Sequence, residues 1–133
     1  MSLLTEIQAS LTTALQAAGV PFEILLGPQV LQRENAQANK YYAVIAVANG
    51  VVSPLTRERF TANFTVSIYL FVKSRVDHAD FVYICTAAVK QVCSDLLEAG
   101  KSVSNVQLAI DTELADAGDS GCLLTFETEV ELE

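Results

Sequence analysis

Phe60-Thr-Ala-Asn-Phe64-Thr-Val-Ser-Ile68-Tyr-Leu-Phe-Val72-Lys-Ser-Arg-Val-Asp77-His-Ala-Asp-Phe81-Val-Tyr-Ile-Cys85-Thr-Ala-Ala-Val89-Lys-Gln-Val-Cys93-Ser-Asp-Leu-Leu97 decides the fold. Phe60, Ala62, Phe64, Val66, Ile68, Leu70 and Val72 occupy every second position, and mostly polar residues stand between them. Side chains alternate faces along a strand, so this half predicts one long strand with a single apolar face. From Asp77 the period changes: Phe81, Cys85, Ala88, Val89, Val92 and Leu96 form a helical stripe. Asp77 is the expected N-cap, Asp80 adds a carboxylate at the positive end of the helix dipole, and Gly100 is the expected stop. The core is expected where strand and helix face each other, with Phe64, Val66, Ile68, Phe81, Cys85, Val89 and Val92 buried.

Upstream, residues 3–18 carry a stripe of Leu3 or Leu4, Ile7, Leu11, Ala14 or Leu15, and Ala18, a helix capped by Ser2 and ended by Gly19. Val20 to Leu26 reads as a short strand, with Pro21 confining its start to an edge or a strand end. Gly27-Pro28 turns the chain, and Gln29–Arg33 continues as strand or extended loop. Glu34–Lys40 is polar and without period, a mobile excursion. Tyr41–Ala48 is an almost unbroken apolar strand with both faces covered. Asn49-Gly50 is a short hairpin signal. Its returning arm is either Val51 and Val52 alone or a segment that resumes after Pro54 and merges with the long strand. Downstream, Val103–Ile110 is a strand, Asp111–Gly121 an acidic loop and Cys122–Leu132 a last alternating strand.

The order α-β-β-β-β-α-β-β, with the fourth strand optional, predicts a single α+β domain over residues 1–133. Its sheet is mixed and mainly antiparallel, of four to six strands, with both helices on one face. A strand from Phe60 to Lys73 would run about 46 Å against a usual ~17–20 Å, so it either bends or projects beyond the core.

The chain has 133 residues, 51% of them apolar, enough for a core without disulfides or metal. No apolar run approaches the ~18 residues of a membrane span, and no basic leader opens the chain, so a cytoplasmic location is expected. The net charge of −8 is confined to one segment. Residues 1–101 balance eight acids against all eight Lys and Arg, whereas residues 102–133 hold eight acids and no base. Such a surface repels phosphates and argues against nucleic-acid or anionic-membrane binding.

The inventory of reactive groups contains no catalytic or metal constellation, and no cofactor is expected. His78, the single histidine, has no Ser or Cys placed around it by a known motif. The spacing of Asp111, Glu113, Asp116 and Asp119 does not match a calcium loop, and Gly118-Asp119-Ser120-Gly121 lacks the lysine and context of a phosphate cradle. Cys85 and Cys93 lie about 12 Å apart along one helix, too far to bridge, and Cys122 stands alone; all three read as small buried hydrophobes. Tyr41 and Tyr42 read as core and rim packing. Two features remain as candidate subunit-interface or lumen groups. Arg57 and Arg59 share one face of an extended segment, pairing either within the chain or with a neighbour. Glu127, Glu129 and Glu131 form a comb of like charges about 7 Å apart, either an edge strand charged against aggregation or a functional surface.

Several stretches together carry a family resemblance. They are the Ser53-Pro54-Leu55 run into Phe60-Thr-Ala-Asn-Phe-Thr-Val-Ser-Ile-Tyr-Leu70, the helix opening Asp77-His-Ala-Asp-Phe81, and the closing Leu124-Thr-Phe-Glu-Thr-Glu-Val130. In pattern and order, over most of its length, the chain resembles the small tail-terminator and tail-completion proteins of long-tailed bacteriophages and prophages. The resemblance implies an α+β fold, no enzymatic activity, and assembly as a homo-oligomeric ring, usually a hexamer. The ring caps the tail tube and meets the head connector, so the tube protein and the connector protein are its implied partners, in the host cytoplasm and then in the virion tail. It carries over no individual residue. A ring needs two unlike patches, and Arg57 and Arg59, with Arg33 and Lys40 nearby, against the glutamate comb supply them; surplus carboxylates would face a channel or solvent. The competing expectation is a small ligand-binding or enzymatic α+β domain whose site forms at a subunit interface.

Overall fold

The computed structural model describes residues 3–26, 39–73, 78–111 and 120–132. In chain order the elements are α1 (Leu3–Ala18), β1 (Phe22–Leu26), β2 (Tyr41–Pro54), β3 (Phe60–Val72), α2 (His78–Glu98), β4 (Ser104–Asp111) and β5 (Ser120–Leu132). They form the expected α+β architecture around one five-stranded sheet of order β1-β2-β3-β5-β4. Only β1, beside β2, runs parallel to its neighbour; the other pairings are antiparallel. Among the described residues Val51 and Val52 do not form a separate strand, because β2 runs unbroken to Pro54.

Register explains the core. Ile45, Ile68 and Leu124 lie side by side across three strands, as do Val47, Val66 and Phe126. Directly paired residues share a face, so these rows form one apolar surface. Against it pack Ile7 and Leu11 of α1 and Phe81, Cys85, Ala88, Val92 and Leu96 of α2, all fully or almost fully buried. Each large side chain so buried contributes roughly 1.5–3 kcal/mol relative to exposure. Tyr41 stacks on Phe81 with ring centroids 6.3 Å apart. Of the seven residues expected in the core, Val66, Ile68, Phe81, Cys85 and Val92 are buried. Phe64 and Val89 are only half-buried, since they lie at the margin of the helical layer.

On the opposite sheet face Tyr42 and Phe71 are buried with Leu25 and Tyr69 beside them, so β2 is covered on both sides only at its start; the expectation of cover as far as Ala48 fails, because Ala46 and Ala48 on that face are exposed. Lys40 lies over the Tyr42 ring at 5.4 Å and pairs with Glu23 at 3.3 Å.

The termini of α2 follow sequence logic only where described. Gly100, at φ 82°, closes the helix, with its N–H donating to Leu97 O at 3.1 Å and the Lys101 N–H to Leu96 O at 3.0 Å. This is the paired bonding of a Schellman cap. The proposed caps Asp77 and Ser2, the His78 side chain, Gln29–Arg33, and most of the excursion 34–40 and of the acidic loop 111–121 lie outside the described residues.

Asn49-Gly50 corrects a sequence expectation. It is not a hairpin turn but an irregularity inside β2, where the register with β3 shifts between Ala48 and Val51. The turn comes later, at residues 55–59. There the Leu55 N–H donates to Arg59 O at 2.8 Å, and Thr56 Oγ1 accepts from the N–H groups of Glu58 and Arg59. The reason for glycine is contact, not turning. A Cβ at position 50 would sit 2.8 Å from Cε1 of Phe64, whose ring covers the bare backbone.

Candidate functional site

Three strands run past everything that supports them. β1 ends its pairing at Ile45 of β2, and β4 ends at Glu127 of β5, yet β2, β3 and β5 stay paired out to Pro54, Phe60 and Leu132. The result is a three-stranded wing, the second of the two outcomes, bend or projection, that the length of β3 left open. Its outermost large apolar residues face solvent, Val51 being 63% exposed, Val52 58%, Leu55 56% and Phe60 37%, whereas the small Ala62 among them is buried and Val130 half-buried. Val52 lies opposite Ala62 and Pro54 opposite Phe60, so Val52, Pro54 and Phe60 continue the core face beyond the helices. Val51 lies opposite Asn63 on the other face.

The charged candidates decorate that other face. Glu127, Glu129 and Glu131 pair across β3 with Thr65, Asn63 and Thr61. β5 is an interior strand as far as Glu127 and an edge only beyond it, so an anti-aggregation role as edge charge applies to Glu129 and Glu131 alone. The five candidate residues do not act as two separate patches. Arg59 Nε donates to Glu131 Oε1 of the same chain at 2.8 Å, both side chains remaining more than half exposed. Their hydrogen bond and charge hold the Glu131 carboxyl below, and the Arg59 guanidinium above, their usual ranges. Asn105 Nδ2 donates to Glu127. Asn105 adopts φ 52° at a break in the β4 register, the local distortion that brings its amide to the comb. Ser102 Oγ accepts from the Glu129 backbone N–H at 3.0 Å, leaving the carboxylate free. Among the described residues, Arg57 and the Glu129 carboxylate are exposed and without an ionic partner.

Sequence reasoning missed two polar contacts that fix the helices at the base of the wing. Ser10 Oγ donates to Asp95 Oδ2 at 2.7 Å, and Gln91 Nε2 to both Asp95 oxygens at 3.0 Å. Lys101 Nζ lies 2.6 Å from Glu6 Oε2 with both side chains largely buried. The signal available was Ser10 within an apolar stripe, which needs a partner if buried. Thr128 is a further buried polar group; its hydroxyl has no hydrogen-bond partner among the described residues.

At the far end of the sheet a groove of about 510 Å³ is lined by Ala18, Val20, Asn39, Tyr41, Val72, Asp80, Tyr83 and Ile84. Burial, then the neighbouring Cys85 and Asp80, push the Tyr41 phenol up, which keeps it protonated. Among the described residues no group of three or more His, Cys, Asp and Glu is arranged to hold a metal ion. Among the described residues no helix is long and apolar enough to cross a membrane.

No protein-family model matches the chain, and no curated protein matches it in sequence. Its fold does match a solved one. A chain in the structure of the virion of a native gene transfer agent particle superposes with a TM-score of 0.53 at 12% identity. The match covers 98% of this chain and 92% of that one. At that identity the likeness is one of fold, and it is nearly end to end.

Proposed function

We propose that this chain is a non-enzymatic structural protein of a phage or prophage tail, a terminator that closes into a ring on the tail tube and meets the head connector. One observation carries the reading: the fold is shared, over 98% of this chain and 92% of the other, with a chain of a gene transfer agent virion. The wing agrees with it. A free-standing subunit gains nothing from holding Val52, Leu55 and Phe60 in water on a rigid three-stranded extension, whereas a subunit that docks this surface on its neighbour buries them. Charge then sets register. Arg59 is engaged within its own chain, so the cation offered to the next subunit is Arg57 and the acceptor is Glu129, with Glu127 beside it. The remaining carboxylates face the lumen or the rim and keep DNA from adhering. Apolar contact supplies affinity, and the ion pair supplies orientation and encounter rate.

Light scattering on the purified chain tests the proposal. A single closed oligomer is expected, six subunits being the expected size. Arg57→Glu should slow its formation and weaken it at physiological salt, and Arg57→Glu combined with Glu129→Arg should restore it. A strict monomer at high concentration contradicts the ring; a ring indifferent to Arg57→Glu removes only the charge pairing.

A further inference from the structure

Cys122, which stands alone in the sequence, is not alone in the fold. β5 enters the sheet between Leu70 and Ile110 with Cys122 on the helix-facing side, directly beneath Cys85 of α2. Both side chains are completely buried, and the Cys122 thiol donates to the Cys85 sulfur at 2.8 Å. Both are free thiols. Bringing the sulfurs to a bond of about 2.05 Å asks for well under an ångström from each side. The sulfurs already face each other across the interface of helix and sheet.

We propose that Cys85 and Cys122 form a cross-linking pair, which an oxidant of the disulfide class, such as oxidised glutathione, converts into an internal disulfide fastening α2 to β5. One sulfur, as thiolate, attacks the oxidant; the oxidant's S–S bond breaks and its departing half takes up the proton. The second sulfur then displaces the other half from the mixed disulfide. The protein's two thiols lose two electrons and two protons, and the oxidant gains them as two free thiols. The hydrogen bond that the Cys85 S–H can share with the Cys122 sulfur, and then burial, hold the Cys85 thiol far above its usual range, so thiolate is scarce in the closed fold. Linkage is therefore slow in the intact core and proceeds when the helix lifts from the sheet.

The closed loop joins residues 37 apart in sequence and constrains the unfolded chain strongly. In a reducing compartment the pair stays open, and in an oxidising medium it closes. The pair stands whether or not the chain forms a ring. Cys93, half-buried on the outer part of α2 and pushed up by burial alone, has no sulfur beside it among the described residues and serves as an internal reference.

The test is to incubate the full chain with oxidised glutathione, in buffer and in mild denaturant that opens α2. The protein is then quenched in acid, unfolded and alkylated with iodoacetamide. Intact mass, a peptide map and the thermal midpoint are recorded. Expected are one alkylated cysteine, Cys93, a peptide joining Cys85 to Cys122, faster linkage in mild denaturant, and a midpoint raised by about 10 °C that dithiothreitol reverses. Cys93→Ser should behave as the wild type, and Cys122→Ala should give no internal link. Three alkylated cysteines under both conditions, a link through Cys93, or a glutathione adduct with no linked peptide would overturn the pairing.

Discussion

The inner and outer halves of β3 share one alternating pattern and have opposite fates. Val66, Ile68, Leu70 and Val72 are sealed beneath two helices, whereas Phe60, in the same phase, is more than a third exposed and Phe64 is half-buried. Alternation fixes which face a side chain takes, not whether anything lies over that face. What covers the inner half is in this chain. What covers the outer half, on the proposed reading, is the next subunit.

The largest expected effect is in the inner half. Phe126→Ala removes a fully buried ring opposite Val66 and should cost about 3–5 kcal/mol, lowering the melting point by roughly 10 °C or more. Phe60→Ala, measured on subunits at low concentration, should shift it by a degree or two. Equal effects would erase the distinction between the halves. At the junction, Gly50→Ala drives a Cβ to 2.8 Å from the Phe64 ring and should destabilise by about 1–3 kcal/mol in denaturant titration, unless Phe64→Leu makes room.

Smaller changes sharpen the boundary. Thr128 is the last buried residue of β5 on the way to the tip of the wing, and its hydroxyl is unpaired among the described residues. Thr128→Val should therefore stabilise by about 1 kcal/mol in the same titration, whereas a loss would mean that the hydroxyl has a partner. Asp95, held by Gln91 and then Ser10, has its carboxyl depressed below the usual ~3.9. Its contribution is present above pH 4 and is lost as pH falls through the depressed value. The carboxylate is half-buried and still screened by solvent, so this effect is the smallest. Asp95→Asn should flatten the acid limb of the stability curve below pH 4 and leave other regions unchanged; an unaltered limb would show that the clamp carries no linkage.

Much of this was legible in the sequence. Period alone located both helices, the long strand and the face of the core, and the length of β3 implied a bend or a projection. Asn49-Gly50 misled because a dipeptide signal for a turn is also one for an irregular strand, and only the Phe64 ring against the bare glycine decides between them. Cys122 could not be paired from sequence because its partner lies 37 residues away on another layer. The pairing of Arg59 with Glu131 was equally hidden, since the cross-strand register that joins residues 72 apart depends on where the true turn falls. Of the proposed interface, the sequence showed the charges; the structure added the exposed apolar surface they flank.

The central claim is that the wing is an assembly surface, and native mass under a wing-specific change tests it most directly. Sedimentation equilibrium of wild type and of the double variant Val52→Asp and Phe60→Asp, with melting curves on both, separates assembly from folding. The account predicts a wild type of one discrete oligomeric mass and a variant that is monomeric yet melts within a few degrees of dissociated wild type. A wild-type monomer at high concentration, or a variant that retains the full oligomeric mass, would contradict it.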